Sequence, residues 1–307
     1  MGIELNSAQL LIRAHKYGVS FKRMATLGRQ GFHANRQGLI SVLHKSGYEM
    51  SKDCVRRLLL TTTKYSEDFL SLLGAKEIVA IDVSDYEGAE IIHDMNQPIP
   101  DSLVSSFDLV LDGGTLEHVF DFPTALRNAT QMVRPNGRFI SFTMANNFCG
   151  HGFYQFSPEL FYRFLCPRNG YSMESCIIWE DIPGSMFYRV PDPDSIQSRI
   201  NLTSEYGTYM FVQAKKLGDV SREFIPQQSD YLRLWEGLAE AAQPLSRVAK
   251  LKSALKDIRI VRSFVIFVRN LNWIQKRSIA AENHRLRIKR NAKGVLSPLE
   301  DLRVMAR

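Results

Sequence analysis

Four short apolar runs, EIVAIDV from Glu77 to Val83, AEIIHDM from Ala89 to Met95, FDLVLD from Phe107 to Asp112 and RFISFTM from Arg138 to Met144, constrain this chain more than anything else in it. Runs of this kind belong to strands buried on both faces. Between the last two, Leu116, Val119, Phe120, Ala125, Leu126, Ala129 and Val133 mark one helical face over Thr115 to Val133, and Pro135, Asn136 and Gly137 end it. Strand alternating with helix predicts an α/β domain, a mostly parallel central sheet with flanking helices.

The flanks fill in around that pattern. Leu5 to Tyr17 carries Leu5, Ala8, Leu11 and Ile12 at helical spacing, with Gly18 as a stop, and Phe21 to Leu27 reads as the first strand, closed by Gly28-Arg29-Gln30-Gly31. Asn35 to Leu73 reads as two helices, the second capped by Ser51. Ser157 to Cys166 reads as a helix with Ser157 as N-cap and Pro158 at N1. Ser175 to Trp179 and Thr208 to Ala214 read as strands in a hairpin-like finish to the sheet, on either side of a Pro-, Asp- and Ser-rich stretch.

At 307 residues, 45% hydrophobic and 23% charged, the chain can bury a core unaided, which excludes a disordered, collagenous or disulfide-stapled protein. Cys54, Cys149, Cys166 and Cys176 form no C-x-x-C pair and no zinc-type spacing, so no metal site is expected from them. No stretch approaches the roughly 18 uninterrupted apolar residues of a membrane span, and the N-terminus lacks a secretory pattern, so a cytoplasmic protein is expected.

The net charge of +7 divides unevenly. Met1 to Gly218 carries 21 basic against 23 acidic residues, and Asp219 to Arg307 carries 18 against 9. The expected organisation is therefore a catalytic-type domain over 1–218, with a helical insertion at about 35–73, and a basic helical C-terminal extension over 219–307. Within the extension, Arg262, Arg269 and Lys276 share one helical face in the apolar stretch 258–277. That pattern suits peripheral contact with an anionic membrane, at the inner face for a cytoplasmic protein, or packing against the main domain or a second subunit as a homo-oligomer; nucleic acid ranks last.

In an open parallel sheet, ligands bind beyond the carboxyl ends of the strands. Here those ends read Gly28-Arg29-Gln30-Gly31, Asp82, His93-Asp94-Met95-Asn96 and Asp112-Gly113-Gly114. An ionised carboxylate only accepts hydrogen bonds, so Asp82 suits the two hydroxyls of a ribose; it equally suits a turn cap with Ser84 and Asp85. Gly113 and Gly114 allow close backbone approach to a ligand, or simply a tight turn. After the fifth strand comes Asn146-Asn147-Phe148-Cys149-Gly150-His151-Gly152-Phe153-Tyr154-Gln155-Phe156, dense in amides and aromatics. It reads as an acceptor pocket with Asn146, Asn147, Tyr154 and Gln155 as substrate contacts, or as a loop folded over the core.

The stretch FDLVLDGGTLEHVFDFPTALRNATQMVRPNGRFISF, Phe107 to Phe142, resembles the second half of a class I S-adenosylmethionine-dependent methyltransferase, and LLGAKEIVAIDVS and HDMNQPIP resemble that family's second and third strands. GTLEHVFDFPTALRN with NNFCGHGFYQFSPELFY further resembles methyltransferase-like proteins of bacterial surface-polysaccharide biosynthesis. The resemblance covers roughly Ser20 to Lys216. It implies a Rossmann-like methyltransferase fold, S-adenosylmethionine held by Gly28, Gln30, Gly31, Asp82, Asp94, Met95, Asp112, Gly113 and Gly114, and methyl transfer to an O or N acceptor such as a sugar or sugar nucleotide. Glu117, His118 and His151 are the candidates to take the acceptor's proton, His118 being expected one turn into the helix. Where the family carries a Gly-rich loop, this chain has Arg29, which leaves a non-catalytic binding or scaffold protein as the alternative, with an RNA methyltransferase behind it.

Overall fold

The computed structural model describes residues 2–48, 64–182, 184–200, 203–221, 223–241 and 297–298. Their elements are β1 (Gly2–Ile3), α1 (Leu5–Lys16), β2 (Arg23–Leu27), β3 (Gly31–Phe32), α2 (Arg36–Lys45), α3 (Glu67–Leu72), β4 (Glu77–Asp82), β5 (Ile91–Ile92), β6 (Phe107–Asp112), α4 (Phe122–Met132), β7 (Val133–Asn146), α5 (Pro158–Phe164), β8 (Tyr171–Glu180), β9 (Tyr188–Arg189), β10 (Thr208–Lys216), α6 (Ser229–Ala241) and β11 (Ser297–Pro298).

Nine strands form one sheet in the order β11-β9-β8-β10-β7-β6-β2-β4-β5. From β5 to β7 every pairing is parallel, and β10 runs antiparallel between β7 and β8. The five parallel strands thus follow the 3-2-1-4-5 order of a Rossmann-like α/β fold, with the switch of direction between β2 and β6. Every residue of β6 is buried, Asp108 and Asp112 with the four apolar ones, as expected of a strand covered on both faces.

Side chains alternate between two cores with the period of two that a strand imposes. Ala25, Leu27, Val110, Phe139 and Val212 join the core under α4 and α5. Met24, Leu109, Leu111, Ile140 and Phe211 join the opposite core, with Leu10, Leu11, Leu39 and Phe69 of α1, α2 and α3. At roughly 1.5–3 kcal/mol for each large apolar side chain removed from water, this burial on both faces holds the sheet ends in fixed register.

Several elements differ from the sequence reading, each for a local reason. The expected helix over Thr115 to Val133 begins only at Phe122, where Asp121 caps it by accepting from the Thr124 backbone N–H at 3.3 Å. Leu116–His118 form a separate 3₁₀ turn. His118 therefore lies before the helix and not one turn into it. The third strand contracts from Ala89–Met95 to Ile91–Ile92, and its link from β4 is a loop without a helix, sufficient because only two register pairs, Ile81 with Ile91 and Asp82 with Ile92, join the strands. The first strand starts at Arg23, the last strands extend to Tyr171–Glu180 and Thr208–Lys216, and β10 enters inside the sheet instead of finishing its edge. Ser157 adopts an extended cap conformation but its side chain makes no capping bond.

In the 35–73 region, Asn35 caps α2 by accepting from Gln37 N–H at 2.9 Å. The expected second helix, from Ser51 to Leu73, lies outside the described residues up to 63, and from 64 on it is not continuous: Tyr65 bridges to Gly31 and a separate helix, α3, begins at Glu67 after Ser66. The apolar basic stretch 258–277 lies outside the described residues. The segment after Gly218 packs on the main body where it is described: Ser229 N–H donates to Glu159 Oε1 at 2.7 Å, and Arg233 pairs with Asp194 at 2.8 Å. No helix among the described residues is long and apolar enough to cross a membrane.

A two-stranded parallel ribbon, β1 with β3, had no signal in the sequence pattern because each strand is two residues long. It ties the N-terminal segment to the loop after β2, with His33 N–H donating to Ile3 O at 2.9 Å.

Because Asp121 caps α4 at its start, Phe122, this cap is a stability determinant. Asp121→Ala is expected to lower unfolding free energy by about 1 kcal/mol in urea denaturation.

Candidate active site

The site is assembled at the switch between β2 and β6. Gly28 leaves β2 with φ +69°, a conformation that suits glycine, and its N–H donates to Ile81 O at 2.7 Å. A Cβ built on Gly28 would stand 3.5 Å from Asp82 Oδ2 and 3.4 Å from Thr115 Oγ1, so the first loop, the second-strand carboxylate and the turn after β6 converge on one point. Asp82 Oδ1 accepts from the Val83 N–H at 2.6 Å.

Gln30 is buried and folds beneath this point. Its Nε2 donates to Leu27 O at 2.6 Å and Gly28 O at 3.2 Å, whereas its Oε1 finds no partner among the described residues. That oxygen fills the space in front of Gly113, where a Cβ would overlap it and lie 2.6 Å from Gln30 Cδ. Arg29, the residue behind the non-catalytic reading, turns away. Its Nε donates to Glu67 Oε1 at 2.7 Å, its Nη1 donates to Glu87 O at 2.9 Å, and its guanidinium lies 3.9 Å from the Tyr65 ring centre. The bond to Glu67 holds its pKa above the usual arginine value. Gly31 is paired with Gly2 in the small ribbon, Asp94 accepts from Asn96 N–H at 2.9 Å and from its Nδ2 at 2.8 Å, and Met95 is buried in the core. The Asn96 bonds hold the Asp94 carboxyl below the ordinary range.

Asp112 is wholly enclosed at the tip of β6. One oxygen accepts from Thr115 N–H at 2.8 Å and Leu116 N–H at 3.3 Å, and the other from Ser141 Oγ at 2.6 Å on β7. Burial pushes its pKa up, against these bonds. Asp112 thus spends its acceptors on shaping the Gly113–His118 turn.

Glu117 is 0% exposed. Its Oε2 accepts from Thr143 Oγ1 at 3.2 Å and its Oε1 has no partner among the described residues. Burial, with the nearby Asp112 carboxylate adding to it, pushes Glu117 up to about 8. The Glu117 carbonyl accepts from Phe153 N–H at 2.8 Å and Tyr154 N–H at 3.3 Å, which fastens the 148–156 loop against the turn. As a result the rings of His118 and His151, 33 positions apart, lie 4.9 Å apart. Burial lowers the pKa of both, and for His118 the proximity of His151 lowers it further.

Beside this cluster lies a cavity of about 230 Å³ bounded by Gly113, Gly114, Glu117, His151, Glu4, His33, Trp179 and Tyr209, among others. Trp179 and Tyr209 stack with ring centres 5.6 Å apart and form its apolar wall. Glu4, its pKa raised by burial and then by Asp181, belongs to the polar lining. The four expected substrate contacts are placed otherwise. Asn147 Nδ2 donates to Ser204 O at 2.7 Å and Tyr206 O at 3.0 Å, Tyr154 Oη donates to Phe120 O at 2.7 Å, and Gln155 Oε1 accepts from Phe148 N–H at 2.8 Å. Asn146 ends β7, paired with Thr208. Asn147, Tyr154 and Gln155 tether the loop, and none of the four is among the residues described as lining the cavity. Glu4, His33, Trp179 and Tyr209 escaped sequence reading because the two-residue ribbon and the inserted β10 bring them together.

Residues 62–141 match the family model described as "Methyltransferase domain". The match takes in Asp82, Asp94, Met95 and the Asp112–His118 turn, and leaves Gly28–Gly31 and the 146–156 loop outside it. No curated protein matches the chain. Among solved structures, the N-methyltransferase NodS from Bradyrhizobium japonicum WM9 superposes with TM-score 0.38 at 12% identity, over 69% of this chain and 96% of that one. A S-adenosylmethionine-dependent methyltransferase from Mesorhizobium loti gives 0.37 at 16%, over 69% and 100%. The Burkholderia thailandensis 1,6-didemethyltoxoflavin-N1-methyltransferase, solved with S-adenosylhomocysteine, gives 0.37 at 13%, over 70% and 78%. The matched segment is similar to a methyltransferase domain and lies within the Rossmann-like fold described above.

The packing of Gln30 against Gly113 is a sharp test of this geometry. Gly113→Ala is expected to lower stability by about 2 kcal/mol through overpacking. In a Gln30→Ala background the same substitution should lose less than half as much, as read in a double-mutant cycle of urea denaturation.

Proposed function

We propose that the protein is a S-adenosylmethionine-dependent methyltransferase acting on a hydroxyl or amine of a small acceptor, with a sugar or sugar nucleotide of surface-polysaccharide assembly as the favoured class. The observation that carries this reading is the juxtaposition of two compartments, the glycine and carboxylate cradle at the β2–β6 switch and the cavity lined by Glu117 and His151, which meet at Gly113 and Gly114.

The residues of the cradle fit the donor. Gly28 holds the loop at φ +69°, which suits glycine, beside Asp82 and Thr115, Asp82 stands at the tip of β4 where ribose hydroxyls need acceptors, and the orphaned Gln30 Oε1 offers a buried acceptor to an ammonium or hydroxyl donor. When bound, S-adenosylmethionine supplies a methyl group on a sulfonium, open to in-line displacement. The chain's own contribution is alignment and proton handling. Trp179 and Tyr209 present an apolar face to the C–H side of a sugar ring, and Glu4 and His33 supply polar contacts to its hydroxyls. The Glu117–His118–His151 cluster lies where an acceptor reaching toward the cradle must lose its proton. With Arg29 tied to Glu67 and Glu87, its bulk does not favour the non-catalytic alternative.

Calorimetric titration of the full chain with S-adenosylhomocysteine tests the reading. Saturable binding is expected, weakened about tenfold or more by Asp82→Ala, the loss of charge-assisted bonds to a ribose. Absence of binding by the folded wild-type chain overturns it.

A further inference from the structure

We propose that Glu117, His118 and His151 form a binding site for a first-row divalent metal ion at the wall of the acceptor cavity. One donor atom from each residue, a carboxylate oxygen and two ring nitrogens, lies within 4.8 Å of the other two. Two of the three residues present unmet polar atoms in this place. Glu117, fully buried, engages Thr143 through Oε2 and leaves Oε1 without a partner among the described residues, and His151 Nε2 is likewise buried and unpartnered. Buried polar atoms are satisfied in the great majority of cases, so two orphans on residues whose donor atoms gather within 4.8 Å of one another point to a missing partner. A cation satisfies the Glu117 carboxylate, whose proton it displaces, together with imidazole lone pairs, whereas a single water molecule meets fewer of these demands.

The donor chemistry selects the class of ion. Two imidazoles and one carboxylate suit zinc, iron or cobalt in the divalent state and suit magnesium or calcium poorly, since the latter prefer all-oxygen shells. Bonds of about 2.1 Å set neighbouring donors roughly 3.4 Å apart in a tetrahedral site. Closing from the present spacing requires shifts of at most about 1.4 Å between donors, within reach of side-chain rotation, above all of the exposed His118 ring. Three protein ligands leave a position open toward the cavity that both Glu117 and His151 line.

The site deepens the proposed methyl transfer, since an acceptor hydroxyl on the open position would release its proton to solvent water more readily. Cation binding itself does not depend on that reading. The test is a titration of the tag-free, chelator-treated full chain with Co²⁺, followed by visible absorption and calorimetry in the absence of any methyl donor. One Co²⁺ per chain with a d–d band is expected, displaced by Zn²⁺. Affinity should fall at least about tenfold in His151→Ala, His118→Ala and Glu117→Gln, and stay unchanged in Asp82→Ala, which separates the metal site from the donor cradle. Where Glu117→Gln fails to fold by circular dichroism, the exposed His118→Ala decides. A wild-type chain that takes up no Co²⁺, or variants that bind it as tightly, overturn the proposal.

Discussion

The buried Asp112 carboxylate is the interaction on which the site depends. It sits at the tip of a strand enclosed on both faces, and every bond it accepts does structural service: two backbone N–H groups of the following turn and the Ser141 hydroxyl of the neighbouring strand. Enclosing an ionised carboxylate is unfavourable unless it is hydrogen-bonded. Those three donors offset that cost, and in doing so they impose one conformation on residues 113–118. Gly113 then meets Gln30, and Glu117 is carried inward.

A second buried carboxyl follows from the first. Glu117 cannot point to solvent once the turn is set, and its shift to about 8 reflects burial first and the Asp112 charge second. Its backbone carbonyl meanwhile receives the N–H groups of Phe153 and Tyr154, so the turn that enters α4 also anchors the long loop after β7. The loop's polar side chains complete that anchoring through Asn147, Tyr154 and Gln155. The amides and the Tyr154 hydroxyl therefore hold the loop down, and of its residues only His151 joins the lining described for the cavity, whose other walls come from elsewhere.

Those walls come from distant parts of the chain. The N-terminal ribbon brings in Glu4 and His33, β8 contributes Trp179 and the inserted β10 contributes Tyr209. Arg29 shows a related effect at the cradle: a bulky residue in a glycine-type loop is tolerated because Glu67, the Glu87 carbonyl and the Tyr65 ring draw its guanidinium outward.

The apolar runs and their polar ends were enough to determine the α/β class, the parallel strands and the edge at which Asp82 and Asp112 stand, because burial on two faces is written in consecutive residues and period. Glu117, His118 and His151 could be named from the sequence as candidates, but that they stand together was not legible. Their meeting depends on a 3₁₀ turn where the helical pattern predicted α-helix, and on two backbone hydrogen bonds across more than thirty residues. Hydrophobic periodicity reports which face of an element is buried; it carries no information about which loop a backbone carbonyl will capture or which two-residue strands will pair. Those choices were made only in the tertiary structure, where the buried Asp112 and the Glu117 carbonyl had to find their donors.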